Sequence, residues 1–205
     1  MTDSISIETI RNQIQDLQFK KPLASTKFLL ADLEIGGFGA MVARRKLLMQ
    51  IGYATNRTVV TFVGKPEAVL DAAVAAGKKA AELIDMSRHE GEHPRFGAMD
   101  VCPLVPIAGI TMEEATEYAK TLGKRLGNEA GLTIFLYENA AAQKNRKNLA
   151  NVRKGEYEGL KERLTQKEWV PDFGPTSFQP KTGATAVGSR NFLVAYNINL
   201  NTTSS

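Results

Sequence analysis

RTVVTFVG at 57–64, followed at once by PEAVLDAAVAAGKKAAELIDM at 66–86, constrains the fold of this chain more than any other stretch. The first run is rich in β-branched residues and ends on Gly64, which predicts a strand. Pro66 then stands near the first helical position, where its missing N–H costs nothing, and the many small apolar residues behind it predict a long helix packed closely on a sheet. A strand feeding directly into a helix predicts an α/β protein, with a mixed β-sheet covered by α-helices.

The rest of the chain repeats that alternation. Thr111 and Glu114 in TMEE have the spacing of a capping box, predicting a helix to about residue 127. GLTIFLYENAA predicts a strand from Thr133 to Tyr137 that runs into a helical or irregular segment, and GEYEGLKERL at 155–164 predicts a short helix. From Trp169 onward, WVPDFGPTSFQPKTGATAVGSR carries enough Pro and Gly to predict a long shaped loop. NFLVAYNINL at 191–200 predicts a closing strand, and residues 201–205 a flexible tail. At the other end, Ile7, Ile10, Ile14 and Leu17 predict an amphipathic helix over about 6–18. Gly36, Gly37 and Gly39 predict a turn, because they lack the GxGxxG spacing of a dinucleotide site.

Composition removes several classes of function. With 43% hydrophobic and 23% charged residues in 205, the chain is expected to fold around one core. No apolar run approaches the roughly eighteen residues of a membrane span, and the N-terminus resembles no signal peptide, so the expectation is a cytoplasmic protein without a membrane partner. The single Cys102 can form neither an internal disulfide nor a thiolate cluster, and its apolar setting before Pro103 favours a core residue over a nucleophile. Met99 and Met112 are also expected in packing. The net charge of +4 is modest, and the basic run KNRKNLANVRK at 144–154 has no interleaved aromatic platform, which argues against nucleic acid.

The chemistry concentrates in RHEGEHPRFGAMDVCPLVP at 88–106, which holds both histidines, His89 and His93. Their spacing matches HExxH literally, but Gly91 and Pro94 spoil the helix that would aim both rings at a zinc ion, so no metal site is expected. As a proton carrier near neutral pH, His93 has Glu92 and Arg95 beside it on a loop restrained by Pro94 and opened by Gly97. A structural histidine linking loops satisfies the same residues, and Glu92 with Arg95 can equally form a surface ion pair. Asp100 either orients this loop, accepts a proton from His93, or caps a turn. Asn56 and Arg57 precede the 57–64 strand, where Arg57 can bind a carboxylate bidentately or make an internal ion pair. Lys181, Thr182, Thr185, Ser189 and Arg190 supply further donors for an anion.

TNRTVVTFVGKPEAV, RHEGEHPRFGAMDVCPLVP, GEYEGL, WVPDFGPTSF and GATAVGSRNFLVAYNINL occur in that order across roughly residues 52–200. Together they resemble the N-terminal subdomain of glutamate formiminotransferase. The resemblance implies transfer of a formimino group between N5 of tetrahydrofolate and the amino group of L-glutamate, within histidine degradation and one-carbon metabolism. It places the family's acid/base histidine, in the GEHPR motif, on His93, with His89, Glu92 and Asp100 in support. Asn56, Arg57, Arg95, Lys181 and Arg190 are the implied contacts to glutamate or to the glutamyl tail of folate. A tetrahydrofolate derivative enters as substrate, no metal or redox cofactor is called for, and a homodimer is implied.

The resemblance has two departures. Residues 1–51 replace the expected VPNFSEGR strand and loop with a divergent segment of the same domain, and the second subdomain, against which the folate would rest, has no counterpart in this sequence. A separate chain supplying that subdomain is one expectation. The other is a noncatalytic folate-binding or regulatory protein on the same scaffold.

Overall fold

The computed structural model describes the strand segments 25–31 and 47–52 and residues 56–193. Its described elements run β1 (Ser25–Ala31), β2 (Leu47–Gly52), β3 (Arg57–Val63), α1 (Pro66–Leu83), β4 (Val101–Val105), α2 (Met112–Ala130), β5 (Thr133–Glu138), α3 (Leu149–Val152), α4 (Leu160–Arg163) and β6 (Ala184–Ser189). The six strands form one mixed sheet in the order β2-β3-β1-β4-β6-β5, in which β2 is antiparallel to β3 and every other pair is parallel. The predicted helix at 6–18, the glycine turn at 36–39 and residues 194–205 lie outside the described residues.

Pro66 opens α1 as expected, and α2 begins on a complete capping box between Thr111 and Glu114. Each helix is a crossover between parallel strands: α1 carries the chain from β3 to β4, and α2 from β4 to β5. Both pack on one face of the sheet, where Val60, Phe62, Cys102, Leu104, Ile134 and Leu136 meet Val69, Ala73, Leu122 and Leu126 in one buried cluster. The opposite face alternates with it at period two, so Val101, Phe135, Tyr137 and Ala186 point the other way, under a cover of Val152, Leu160 and Trp169. Phe135 is held there between Phe96, at 5.8 Å between ring centres, and Trp169 at 6.1 Å. Cys102 is fully buried, and burial pushes its thiol pKa up, so it is a packing residue along with Met99.

Two segments differ from expectation. The stretch read as one loop after Trp169 contains β6, a central strand fully buried along its length. It is built from ATAVGS because both of its faces are covered and its neighbours crowd it: a Cβ on Gly188 would lie 2.4 Å from the Tyr137 carbonyl oxygen. Asn191–Leu193 belong to no strand, so the described part of the expected 191–200 strand is irregular. GEYEGLKERL is mostly turns, with helix confined to Leu160–Arg163, because Gly155 and Glu156 both take positive φ.

Candidate functional site

The segment from Met86 to Asp100 crosses the amino ends of β3, β4 and β6. It starts as a single 3-10 turn, Met86–Arg88, and 89–95 is not helical, so His89 and His93 do not share a helix face. No trio of His, Cys, Asp or Glu among the described residues is grouped to hold a metal ion. In open parallel sheets ligands usually bind outside the carboxyl ends of the strands. Here the chemistry-bearing residues gather at the amino ends instead.

His89 is buried, and its Nε2 lies 2.8 Å from the backbone oxygen of Asn56. A carbonyl only accepts, so Nε2–H donates, which fixes the tautomer on that side of the ring. Asn56 returns the link by donating from Nδ2 to the Glu90 carbonyl at 2.7 Å, and its positive φ of 46° shows the price of that turn. Burial lowers the His89 pKa from its usual 6.5, reinforced by the Arg95 and Arg57 charges and opposed by the Asn56 hydrogen bond and by Asp100. Between its folded value and 6.5 the unfolded chain binds more protons than the folded one, so stability rises with pH through that window. Urea titrations from pH 7 downward should therefore show stability falling as pH drops below 6.5, with this slope weakened in His89→Gln.

Asp100 is the electrostatic centre of the site. It is fully buried, its Oδ1 accepts the Phe96 amide at 2.8 Å, and its Oδ2 meets Arg153 at 2.8 Å and Arg57 at 3.2 Å. Both guanidiniums also donate to the carbonyl oxygen of Pro94. Burial lowers the Arg57 pKa, with the Asp100 charge opposing that shift and the Arg153 charge adding to it. Two cations thus share one carboxylate, and the Pro94 carbonyl, one residue beyond His93, gives them a further acceptor. Of the three roles open to Asp100, its contacts are those of a residue that orients the loop.

Two glycines close the loop against β6. Gly97 pairs with Gly183 in an antiparallel bridge, and Ala98 N–H donates to Thr182 O at 2.8 Å while Ala184 N–H donates to Phe96 O at 3.0 Å. A Cβ on Gly97 would stand 2.1 Å from the Ala184 carbonyl oxygen, and Gly183 has φ of 61°. Gly97→Ala should cost about 1–3 kcal/mol in urea unfolding, because backbone rather than a flexible side chain must move; an unchanged midpoint would show that the bridge is dispensable.

The structure distributes the remaining candidates unevenly. His93 is exposed, and its ring hydrogen-bonds to nothing among the described residues. Glu92 is exposed, and Arg95 pairs with Glu158 rather than with it, while lying 5.6 Å from the Tyr157 ring. Lys181 is exposed at the same end of the sheet and donates to the Glu82 carbonyl at 2.8 Å. Arg190 follows the carboxyl end of β6, about 20 Å away by the rise of the strand, and donates to the Asn191 carbonyl. Thr185 and Ser189 are fully buried within β6, so they offer nothing to an external anion.

Arg153 was missed, because its basic run reads as a solvated face. So were Tyr157 and Glu158, although GEYEGL stands two residues after it. Tyr157 N–H donates to Arg95 O at 2.8 Å and its hydroxyl to Pro180 O at 2.7 Å, joining this turn to both loops. Beside Pro94, a hollow of about 410 Å³ is lined by Leu149, Ala150, Arg153, Lys154 and Glu156. A small apolar hollow of about 30 Å³ between Val69, Leu104 and Tyr118 has no charged lining and lies at the other end of the sheet.

Fold and site together define an α/β domain that presents one exposed histidine from a loop clamped at the amino ends of a mixed sheet. Residues 44–190 match the family described as the formiminotransferase domain, N-terminal subdomain, and the chain belongs to that family. It is 57% identical over 149 residues to a formimidoyltransferase-cyclodeaminase of Gallus gallus, covering 73% of this chain and 28% of that relative. It is 50% identical over 147 residues to a glutamate formimidoyltransferase of Streptococcus pyogenes serotype M1, covering 72% of this chain and 49% of the relative. A glutamate formimidoyltransferase of Thermoplasma acidophilum is also 50% identical, over 149 residues. The chain therefore matches these relatives over half of their length or less.

Proposed function

We propose that the chain takes part in formimino transfer between 5-formiminotetrahydrofolate and L-glutamate, with His93 moving the protons. The observation that carries this reading is the exposed His93 imidazole next to Pro94, whose carbonyl receives two buried or nearly buried guanidiniums. The glutamate amine adds to the electrophilic formimino carbon, forming a new C–N bond, and gives its proton to neutral His93. The resulting imidazolium returns a proton to N5 of the folate as the original C–N5 bond breaks, so one side chain serves both stages. Formiminoglutamate and tetrahydrofolate leave, and His93 ends as it began.

In this reading Asp100 and Arg57 position the loop, since Arg57 is buried and already engaged by Asp100 and Pro94. Of the predicted anchors at this end of the sheet, Arg95 and Lys181, whose partners are exposed, are the ones assigned to substrate carboxylates. Arg190 drops out by distance, and Asn56 acts through the loop rather than on substrate. His89 and Glu92 support the segment without a bond-making role. The reading includes the homodimer and uses no metal or redox cofactor.

A second reading, folate binding without turnover, is favoured by the fact that residues 1–43 fall outside the family match. The purified chain incubated with 5-formiminotetrahydrofolate and glutamate separates the two. Formiminoglutamate in the product supports transfer; folate binding without product supports the second reading, and neither would remove both.

A further inference from the structure

We propose that Arg163 is a positioning residue for His93, acting through Arg153; the inference rests on the transferase reading of His93. Arg163 is buried and makes no direct contact with the His93 loop among the described hydrogen bonds, yet its Nη1 donates to the carbonyls of Val152 at 2.6 Å and Lys154 at 2.9 Å, and its Nη2 donates to that of Asn151 at 2.5 Å. These carbonyls flank Arg153 on both sides. Arg153 caps α3, a helix of one turn that is too short to hold its own geometry and whose end leaves carbonyls open to further donors. Arg163 supplies them, and so fixes the backbone from which the Arg153 side chain reaches Asp100 and the Pro94 carbonyl.

The far side of Arg163 is equally fixed. Its guanidinium carbon lies 3.3 Å from the centre of the Trp169 ring, which packs edge-on against Phe135 in β5. A side chain that must serve three carbonyls and lie on an indole needs a planar fork, which lysine lacks. The path therefore runs from the rigid sheet through Trp169, Arg163 and the end of α3 to Arg153, and from there to Pro94 and His93, each step a ring contact, a hydrogen bond or a peptide bond.

The test compares wild type, Arg163→Lys, Arg153→Ala and the double variant by amide hydrogen exchange and by kcat and KM for formimino transfer. The probes are the Phe96 amide, which donates to Asp100, and the Phe135 amide in β5. Arg163→Lys is expected to speed exchange at Phe96 by about tenfold or more without changing Phe135, the signature of local rather than global opening. It should lower kcat about ten- to a hundredfold with KM unchanged, as a slightly misplaced imidazole would. Adding it to Arg153→Ala should change neither quantity further.

Equal loss of protection at Phe96 and Phe135, or additive effects in the double variant, would overturn the proposal. Trp169→Phe keeps a smaller ring under Arg163 and serves if Arg163→Lys does not fold. It should give the same pattern in weaker form, and an unchanged Phe96 amide would again count against the proposal. Absence of turnover in wild type sinks the transferase reading instead, while the exchange comparison still decides whether Arg163 holds the loop.

Discussion

Asp100→Ala should cost about 3–5 kcal/mol of folding stability, the penalty of leaving buried charge without its partner. The carboxylate is fully buried and pairs with Arg57 and Arg153, so its loss strands two guanidiniums at the amino end of β4. It also strands the Phe96 amide, which has no solvent to turn to. Asp100→Asn keeps the shape and one acceptor, so it should recover part of the loss without the charge. Urea unfolding followed by far-UV circular dichroism reads both. A cost under about 1 kcal/mol for Asp100→Ala, the range of a surface pair, would show that the cluster does not hold the loop.

His93→Ala should have the opposite profile. The side chain is exposed and makes no hydrogen bond among the described residues, so unfolding should match wild type within about 0.5 kcal/mol. Turnover, in contrast, should fall by about a hundred- to ten-thousandfold, the usual contribution of a positioned acid/base. Folate affinity should hold, since in the proposed role the imidazole moves protons rather than anchoring the ligand. Together the two variants separate scaffold from chemistry: Asp100→Ala is expected to change stability, and His93→Ala rate.

Much of the α/β frame was legible because local and global signals agree there. β3 is rich in β-branched residues, Pro66 and the Thr111–Glu114 box mark two helix starts, and β5 follows a glycine. β6 was invisible for a reason that is itself structural. A central strand pressed between two neighbours and covered on both faces selects Ala, Thr, Val and Gly, and a short run of these after Pro and Gly reads as a turn.

The site was legible in its loop and not in its supports. The two histidines, Pro94 and Gly97 stand within one short stretch, so their association needs no fold. Arg153 meets Asp100 across 53 residues, and Arg95 meets Glu158 across 63, so those pairs exist only once α3 and the turn after it lie against the loop. Sequence adjacency favoured Glu92 for Arg95, and the folded chain chose a residue from the far side of β5 instead. Arg190 shows the same effect in reverse: it follows the late glycines closely in sequence, but the length of β6 separates it from Lys181.

The most direct measurement is the initial rate of formiminoglutamate formation by His93→Ala, with and without added imidazole, beside wild type. A slow variant whose rate imidazole raises, with wild type unaffected, is the expected result, because the small molecule replaces the missing proton carrier. A variant as fast as wild type would contradict the role of His93, whatever the stability of the loop that bears it.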